Sequence, residues 1–214
     1  MISPRIILVT EPTFGDAHIV QCVQLVGRAL PAGWFAVQLR DKRRPRTSVQ
    51  ALALKLRDVT RDCGAALIIN GDARVARDVG ADGVHLGRDA GTAGEARAIC
   101  GAHTWISAAA HSDAAARLGA GAGVDAILVS PEFPTQSPSD IAPKAPRGLE
   151  AVRSARAAVG AGVRLYALGG VGANNVRPCL DTGADGVAVL RALLASDEPA
   201  CVARAMHDAF AAHC

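Results

Sequence analysis

Short runs of β-branched and other apolar residues alternate along the chain with longer Ala-, Arg- and Leu-rich stretches whose apolar positions recur at helical spacing. The runs predict eight strands, at 6–10, 35–40, 66–70, 83–86, 105–108, 126–130, 164–168 and 186–189. Helices are predicted near 17–29, 49–63, 73–79, 93–99, 113–118, 149–159 and 175–181, with a last one over 199–212. Strict alternation of strand and helix argues for a parallel sheet. Eight repeats argue for closure into one (β/α)8 TIM-barrel domain over 1–214. A doubly wound open sheet is the alternative, but no G-x-G-x-x-G follows the first strand, as its dinucleotide-binding form would require.

Three segments repeat: VGADGVHL (79–86), GAGVDAILV (121–129) and TGADGVAV (182–189). Each closes a helix with glycine and opens a strand. The glycine is expected as a left-handed helix cap and the Asp in the turn that follows. Asp82, Asp125 and Asp185 then fall at the N-terminal end of the barrel, where residues serve stability rather than chemistry. The longest irregular stretch, 131–148, holds five prolines and follows the sixth strand, which assigns it to the active face as a binding loop.

The chain has 214 residues, 50% hydrophobic and 20% charged, enough for a full core and unlike a disordered chain. A net charge of +3 supports no nucleic-acid stripe, and 3% aromatic residues supply no stacking platform. The six cysteines lie far apart without a C-x-x-C pair, so neither a zinc site nor a disulfide framework is expected. No secretory pattern opens the chain and no apolar run reaches membrane-spanning length. The expectation is a cytoplasmic protein with neither nucleic acid nor membrane as partner.

Candidate chemistry gathers at strand ends. In FAVQLRDK (35–42), alternation sets Gln38, Arg40 and Lys42 on one side, opposite Val37 and Leu39. A buried strand carries three polar residues on one face only if that face meets something polar. At the upper end of a barrel strand this is a ligand, an anion held by the Arg fork and the Lys charge. A rim salt bridge to Asp41 is the competing reading. After the seventh strand, Gly169 and Gly170 let backbone N–H groups approach an anion, and a short helix at 191–194 would complete a phosphate site. His111 follows the fifth strand, ahead of Ser112 as a helix cap, and an ordinary imidazole near 6.5 suits proton transfer. A solvated residue at a helix start is the competing reading there. His85, inside GVHLG, is the weaker candidate.

Together VQLRDK, LIINGD (67–72), ADGVHLGRD (81–89), AAAHS (108–112), SPEFPTQS (130–137), ALGG (167–170) and GADGVAV (183–189) resemble the thiamine phosphate synthase superfamily, which also contains the thiazole tautomerases. The resemblance runs in order over nearly the whole chain. It implies a (β/α)8 barrel whose small-molecule partner is a phosphorylated thiazole. Residue by residue, it implies that Gln38, Arg40, Lys42 and Asn70 contact a pyrimidine and its pyrophosphate. It further implies that Gly169, Gly170, Val189 and Leu190 cradle the thiazole phosphate, and that Thr135 is a loop contact.

The departures from the family pattern refine this expectation. Synthases read N-D after strand three, where the Asp holds magnesium; this chain has Asn70-Gly71. Ala90 stands at the second magnesium Asp, Gln136, Ser137 and Pro138 follow Thr135 where a pyrophosphate lysine is expected, and Ala109 replaces a serine. Losing one dedicated electrostatic contact costs about 3–4 kcal/mol. The expectation is therefore a metal-independent thiazole tautomerase without cofactor, with His111 as its acid–base group. The alternatives are a magnesium-dependent synthase joining pyrimidine pyrophosphate to thiazole phosphate, with Asp72 or Asp89 as displaced ligands, and a non-catalytic sensor or partner protein that keeps the cradle. Homo-oligomerisation is left open.

Overall fold

The computed structural model describes residues 2–87, 91–130, 133 and 146–211. Among these, eight strands follow in order: β1 (Ile6–Val9), β2 (Phe35–Leu39), β3 (Ala66–Asn70), β4 (Gly83–Leu86), β5 (Trp105–Ala110), β6 (Ala126–Val129), β7 (Arg164–Leu168) and β8 (Gly186–Val189). All ladders are parallel, and β1 pairs with both β2 and β8, which closes the barrel and excludes the open sheet. The described helices are α1 (Asp16–Ala29), α2 (Arg46–Asp62), α3 (Ala73–Val79), α4 (Ala93–Cys100), α5 (Asp113–Gly121), α6 (Leu149–Val159), α7 (Val176–Asp181), α8 (Arg191–Leu194) and α9 (Pro199–Ala211). None of them is long and apolar enough to cross a membrane.

The bounds of β3, β4, β7, β8, α3 and α6 are those expected; the other bounds depart by at most three residues. β5 runs two residues further than its β-branched signal, because Ala108, Ala109 and Ala110 continue the ladder opposite Ile127, Leu128 and Val129. β2 stops at Leu39, so Arg40 and Lys42 lie past its end rather than on its face.

Strand alternation divides the apolar side chains into two cores. Leu8, Val37, Ile69, Val84 and Val187 face the helices, whereas Ile7, Ile68, Trp105, Leu128 and Tyr166 fill the barrel interior. Trp105 and Tyr166 meet edge to face at 6.4 Å. These two residues crowd two glycines of the repeated motif, by ring and by backbone. A Cβ on Gly186 would stand 2.6 Å from Tyr166 Cε1, and one on Gly83 would stand 2.7 Å from the Trp105 carbonyl oxygen.

The three repeated aspartates are structural, as their position implied. Asp82 accepts the Leu67 N–H at 2.7 Å and pairs with Arg57 of α2 at 2.7 Å. Asp125 accepts the Ile106 N–H at 2.7 Å and pairs with Arg97 of α4 at 2.9 Å. Asp185 accepts the Leu165 N–H at 2.8 Å and pairs with Arg156 of α6. Each Arg also donates to a carbonyl of the preceding turn, that of Gly80, Gly123 or Gly183. Ahead of β2 the same place is taken by Trp34, whose ring packs on His207 at 4.5 Å and Phe210 at 5.7 Å, both from α9.

The expected left-handed cap holds for Gly80, at φ 62° and ψ 43°. It does not hold for the other two. Ala122 and Thr182 cap α5 and α7 with negative φ, and the chain turns one residue later, at Gly123 (φ 76°) and Gly183 (φ 102°).

Candidate active site

The inward positions change character toward the C-terminal ends of the strands. Gln38 continues the face of Ala36, Asn70 that of Ile68, and Ser107 that of Trp105. Gln38 is buried and its Nε2 donates to Asn70 Oδ1 at 3.3 Å, while its Oε1 is buried without a hydrogen bond. On the adjacent strand His85 is buried, with Nδ1 2.9 Å from the Ser107 hydroxyl. Burial, reinforced by the positive charges of Arg40 and Lys42, pushes its pKa down to about 4. His85 is thus neutral at pH 7. The sequence reading ranks it below His111 and misses Ser107 as its partner.

Arg40 is held by its backbone. Thr10 Oγ1 accepts the Arg40 N–H at 2.9 Å and donates to the Arg40 carbonyl at 3.3 Å. The rim salt bridge weighed for Arg40 and Lys42 does not form, because Asp41 Oδ2 binds Arg44 Nε at 2.8 Å instead. Neither the Arg40 nor the Lys42 side chain has a polar partner among the described residues.

His111 follows β5 immediately, and Ser112 caps α5 by accepting the Ala115 N–H at 3.2 Å. Its Nδ1 lies 3.0 Å from the Ser130 carbonyl oxygen and 3.1 Å from the Ser130 hydroxyl. A carbonyl only accepts, so Nδ1 donates in the first contact and Nε2 is the ring nitrogen left to face a substrate. Ser130 supplies both contacts, and the sequence reading has it only as the first residue of SPEFPTQS.

Gly169 and Gly170 extend β7 beside β8, where Leu168 pairs with Ala188. Both take positive φ, 104° and 67°, and their carbonyls are turned to the Phe133 N–H and the Asn175 amide. The Val189 side chain is buried in the helix-facing core and its strand position pairs with Leu8 of β1; Leu190 caps the short α8. The helix expected at 191–194 is present with those bounds. Glu11, beyond β1, is a further residue the sequence reading missed. Its carboxylate oxygens are buried without a hydrogen bond among the described residues, where the ion-pair partner is Arg191 Nε at 3.8 Å.

The described residues do not fit the two-carboxylate magnesium site that the resemblance implies. Gly71, at φ 83°, has no side chain to offer a metal. Asp72 is occupied: Oδ1 caps α3 by accepting the N–H groups of Arg74 and Val75 at 3.0 Å, and Oδ2 faces Arg46 at 3.3 Å. Among the described residues no three His, Cys, Asp or Glu side chains come together as a metal set. Asp89, Ala90 and Thr135 lie outside the described residues.

At the opposite end of the barrel, a cavity of about 440 Å³ opens between Ile2, Arg5, Trp34 and Asp82. It holds none of the candidate residues, and its carboxylate is already bound by Arg57 and the Leu67 N–H. The chemistry-bearing groups converge on the other mouth.

Comparison with known proteins identifies the family. A family model described as thiamine monophosphate synthase matches residues 6–193. The thiamine-phosphate synthase of Methanoculleus marisnigri is 39% identical over 205 residues, covering 96% of this chain and 94% of the relative. That of Haloarcula marismortui is 32% identical over 209 residues, 98% of each chain. In structure, thiamine phosphate pyrophosphorylase from Pyrococcus furiosus superposes with a TM-score of 0.82 at 24% identity, over 97% of this chain and 96% of its own. These names favour the synthase alternative over the tautomerase expectation. Motif order, barrel and relatives agree that the chain belongs to the thiamine monophosphate synthase family, a barrel of thiamine biosynthesis.

Proposed function

We propose that the chain is a thiamine phosphate synthase that joins a pyrimidine pyrophosphate to a thiazole phosphate. The observation that carries this reading is the pair Arg40 and Lys42, without polar partners among the described residues beside a mouth that holds the unsatisfied Gln38 Oε1. Two cations suit a pyrophosphate group, and their attraction grows as the carbon–oxygen bond breaks and charge collects on the leaving group. Gln38 and Asn70 would receive the pyrimidine, with Oε1 accepting a donor N–H. The Gly169, Gly170, Val189 and Leu190 backbone would hold the thiazole phosphate so that its ring nitrogen faces the pyrimidine carbon. The relatives' names support the same reading.

A tautomerase is the second reading. It is favoured by the engagement of Asp72 with α3 and Arg46, and by the open Nε2 of His111. Such a reaction needs a phosphate cradle and one acid–base group. The deciding experiment supplies both synthase substrates, with magnesium and with a chelator, and measures thiamine phosphate and released pyrophosphate. A parallel reaction follows interconversion of thiazole carboxylate phosphate tautomers. Product in the first supports the synthase. Activity in the second alone supports the tautomerase, and thiazole phosphate binding without either turnover supports a sensor.

A further inference from the structure

We infer that Asp41 is a positioning residue that keeps Arg40 and Lys42 unpaired and ready for a diphosphate; the identity of that substrate rests on the synthase reading. Residues 40–46 carry five basic side chains, Arg40, Lys42, Arg43, Arg44 and Arg46, around one acid, Asp41. Its side chain is 3% exposed. A carboxylate flanked in sequence by two cations would ordinarily pair with one of them. Here it pairs with neither.

Instead Asp41 Oδ1 accepts the backbone N–H of Arg43 at 3.0 Å and of Arg44 at 3.2 Å, which folds the turn back over its own side chain. Oδ2 takes Arg44 Nε at 2.8 Å, and Arg44 is held from its other side by Asp16 at the start of α1. Arg46 is drawn to Asp72 at 3.3 Å and Asp78 at 4.0 Å. Asp16, Asp72 and Asp78 are therefore engaged by Arg44 and Arg46. From the barrel side, Thr10 fixes both backbone groups of Arg40. The segment Arg40-Asp41-Lys42 is thus pinned by Thr10 before the turn and by Asp41 within it, while its two flanking cations stay without polar partners among the described residues. An anion site whose cations need not first break internal ion pairs binds more tightly than one that must.

The test compares Asp41→Ala, Asp41→Asn, Lys42→Ala and the Asp41→Ala/Lys42→Ala double variant. Steady-state kinetics are read for each substrate, and inorganic pyrophosphate is titrated by calorimetry. Asp41→Ala should raise KM for the pyrimidine pyrophosphate about tenfold with kcat within about twofold. KM for thiazole phosphate should stay unchanged, since its cradle lies on β7 and β8. Asp41→Asn keeps an acceptor oxygen for the turn and should restore most of the loss. In the double variant the Asp41 change should add less than about twofold to the Lys42→Ala effect on pyrophosphate affinity. If Asp41→Ala does not fold, Arg44→Met keeps the turn but removes the guanidinium, and should weaken pyrophosphate about threefold. Equal losses for both substrates, full additivity, or wild-type pyrophosphate affinity in the Asp41 and Arg44 variants would overturn the inference. Wild type that binds pyrophosphate without forming thiamine phosphate removes the synthase reading and leaves Asp41 to be judged on the titrations. Wild type that binds no pyrophosphate removes the inference itself.

Discussion

Inside the barrel the His85 imidazole and the Ser107 hydroxyl stand 2.9 Å apart, and burial holds that imidazole near a pKa of about 4. An unfolded histidine titrates near 6.5. Above pH 6.5 both states are neutral and His85 makes no difference. Between 6.5 and 4 the unfolded chain takes up a proton that the folded chain refuses, so stability falls as pH falls through this window and levels off below it. The contribution is about 3 kcal/mol, from 1.36 kcal/mol per pKa unit. Urea unfolding at pH 7 and pH 4.5 should show a smaller loss for His85→Gln than for wild type. An equal loss in both would refute the assignment.

The carboxylate of Asp125 joins α4 to the starts of β5 and β6. Asp125→Ala should cost about 2–3 kcal/mol, because it leaves the Ile106 N–H and the Arg97 guanidinium without their acceptor. Arg97→Ala removes the weaker partner and should cost less. Denaturant midpoints rank the two, and a loss below about 0.5 kcal/mol for Asp125→Ala would make the pair incidental.

Gly186 is a packing requirement rather than a turn. Gly186→Ala would press a methyl group to 2.6 Å from both Tyr166 Cε1 and the Arg5 carbonyl oxygen, so about 1–3 kcal/mol should be lost. The carbonyl cannot withdraw as a side-chain tip can, so shortening Tyr166 alone should rescue only part. Thermal unfolding of Gly186→Ala, alone and with Tyr166→Leu, checks this.

Gly170→Asp tests the phosphate cradle. It sets a negative charge beside the proposed phosphate and forces a side chain onto φ 67°, so affinity for inorganic phosphate and thiazole phosphate should drop at least tenfold, roughly. Unchanged titrations would move the cradle elsewhere.

On the tautomerase reading, His111→Ala should slow proton transfer by about 10²–10⁴-fold while phosphate affinity stays. His111→Gln should do no better, since an amide hydrogen-bonds to Ser130 without carrying a proton near neutrality. Wild-type tautomerisation rates in both variants would reduce His111 to a residue at a helix start.

Most of the fold was legible in the sequence because β-branched runs and Gly-capped helices follow local rules. The fifth strand was cut short because alanines carry no strand preference, although their backbone pairs with β6 as well as any other. At the site, Gln38, Arg40 and Lys42 announced themselves as charges and amides where a buried strand should be apolar. His85 did not, because a single polar residue among Val84 and Leu86 reads as noise until Ser107, 22 residues on, is seen beside it. The Asp repeat was legible, but its Arg partners were not. They lie 25 to 29 residues earlier, on helices whose direction the sequence does not state. Register alone places the carboxylates expected near a metal, and it does not say that Asp72 already serves as a helix cap.

The Arg–Asp clamps also decide where this barrel can be divided. A break before Gly91 leaves Arg57 with Asp82 on the first fragment, and Arg97 with Asp125 and Arg156 with Asp185 on the second. The two pieces then meet along the β4–β5 and β8–β1 ladders and through the seat of Trp34 on α9, contacts that salt hardly screens, with Glu11–Arg191 at 3.8 Å as the one ion pair between them among the described residues. A break after Gly101 instead puts Arg97 and Asp125 on separate polypeptides, each with a charge that only the other neutralises. Complementation from halves should therefore succeed at the first seam and fail at the second, as expected of a circle assembled from quarters rather than from eight equal staves.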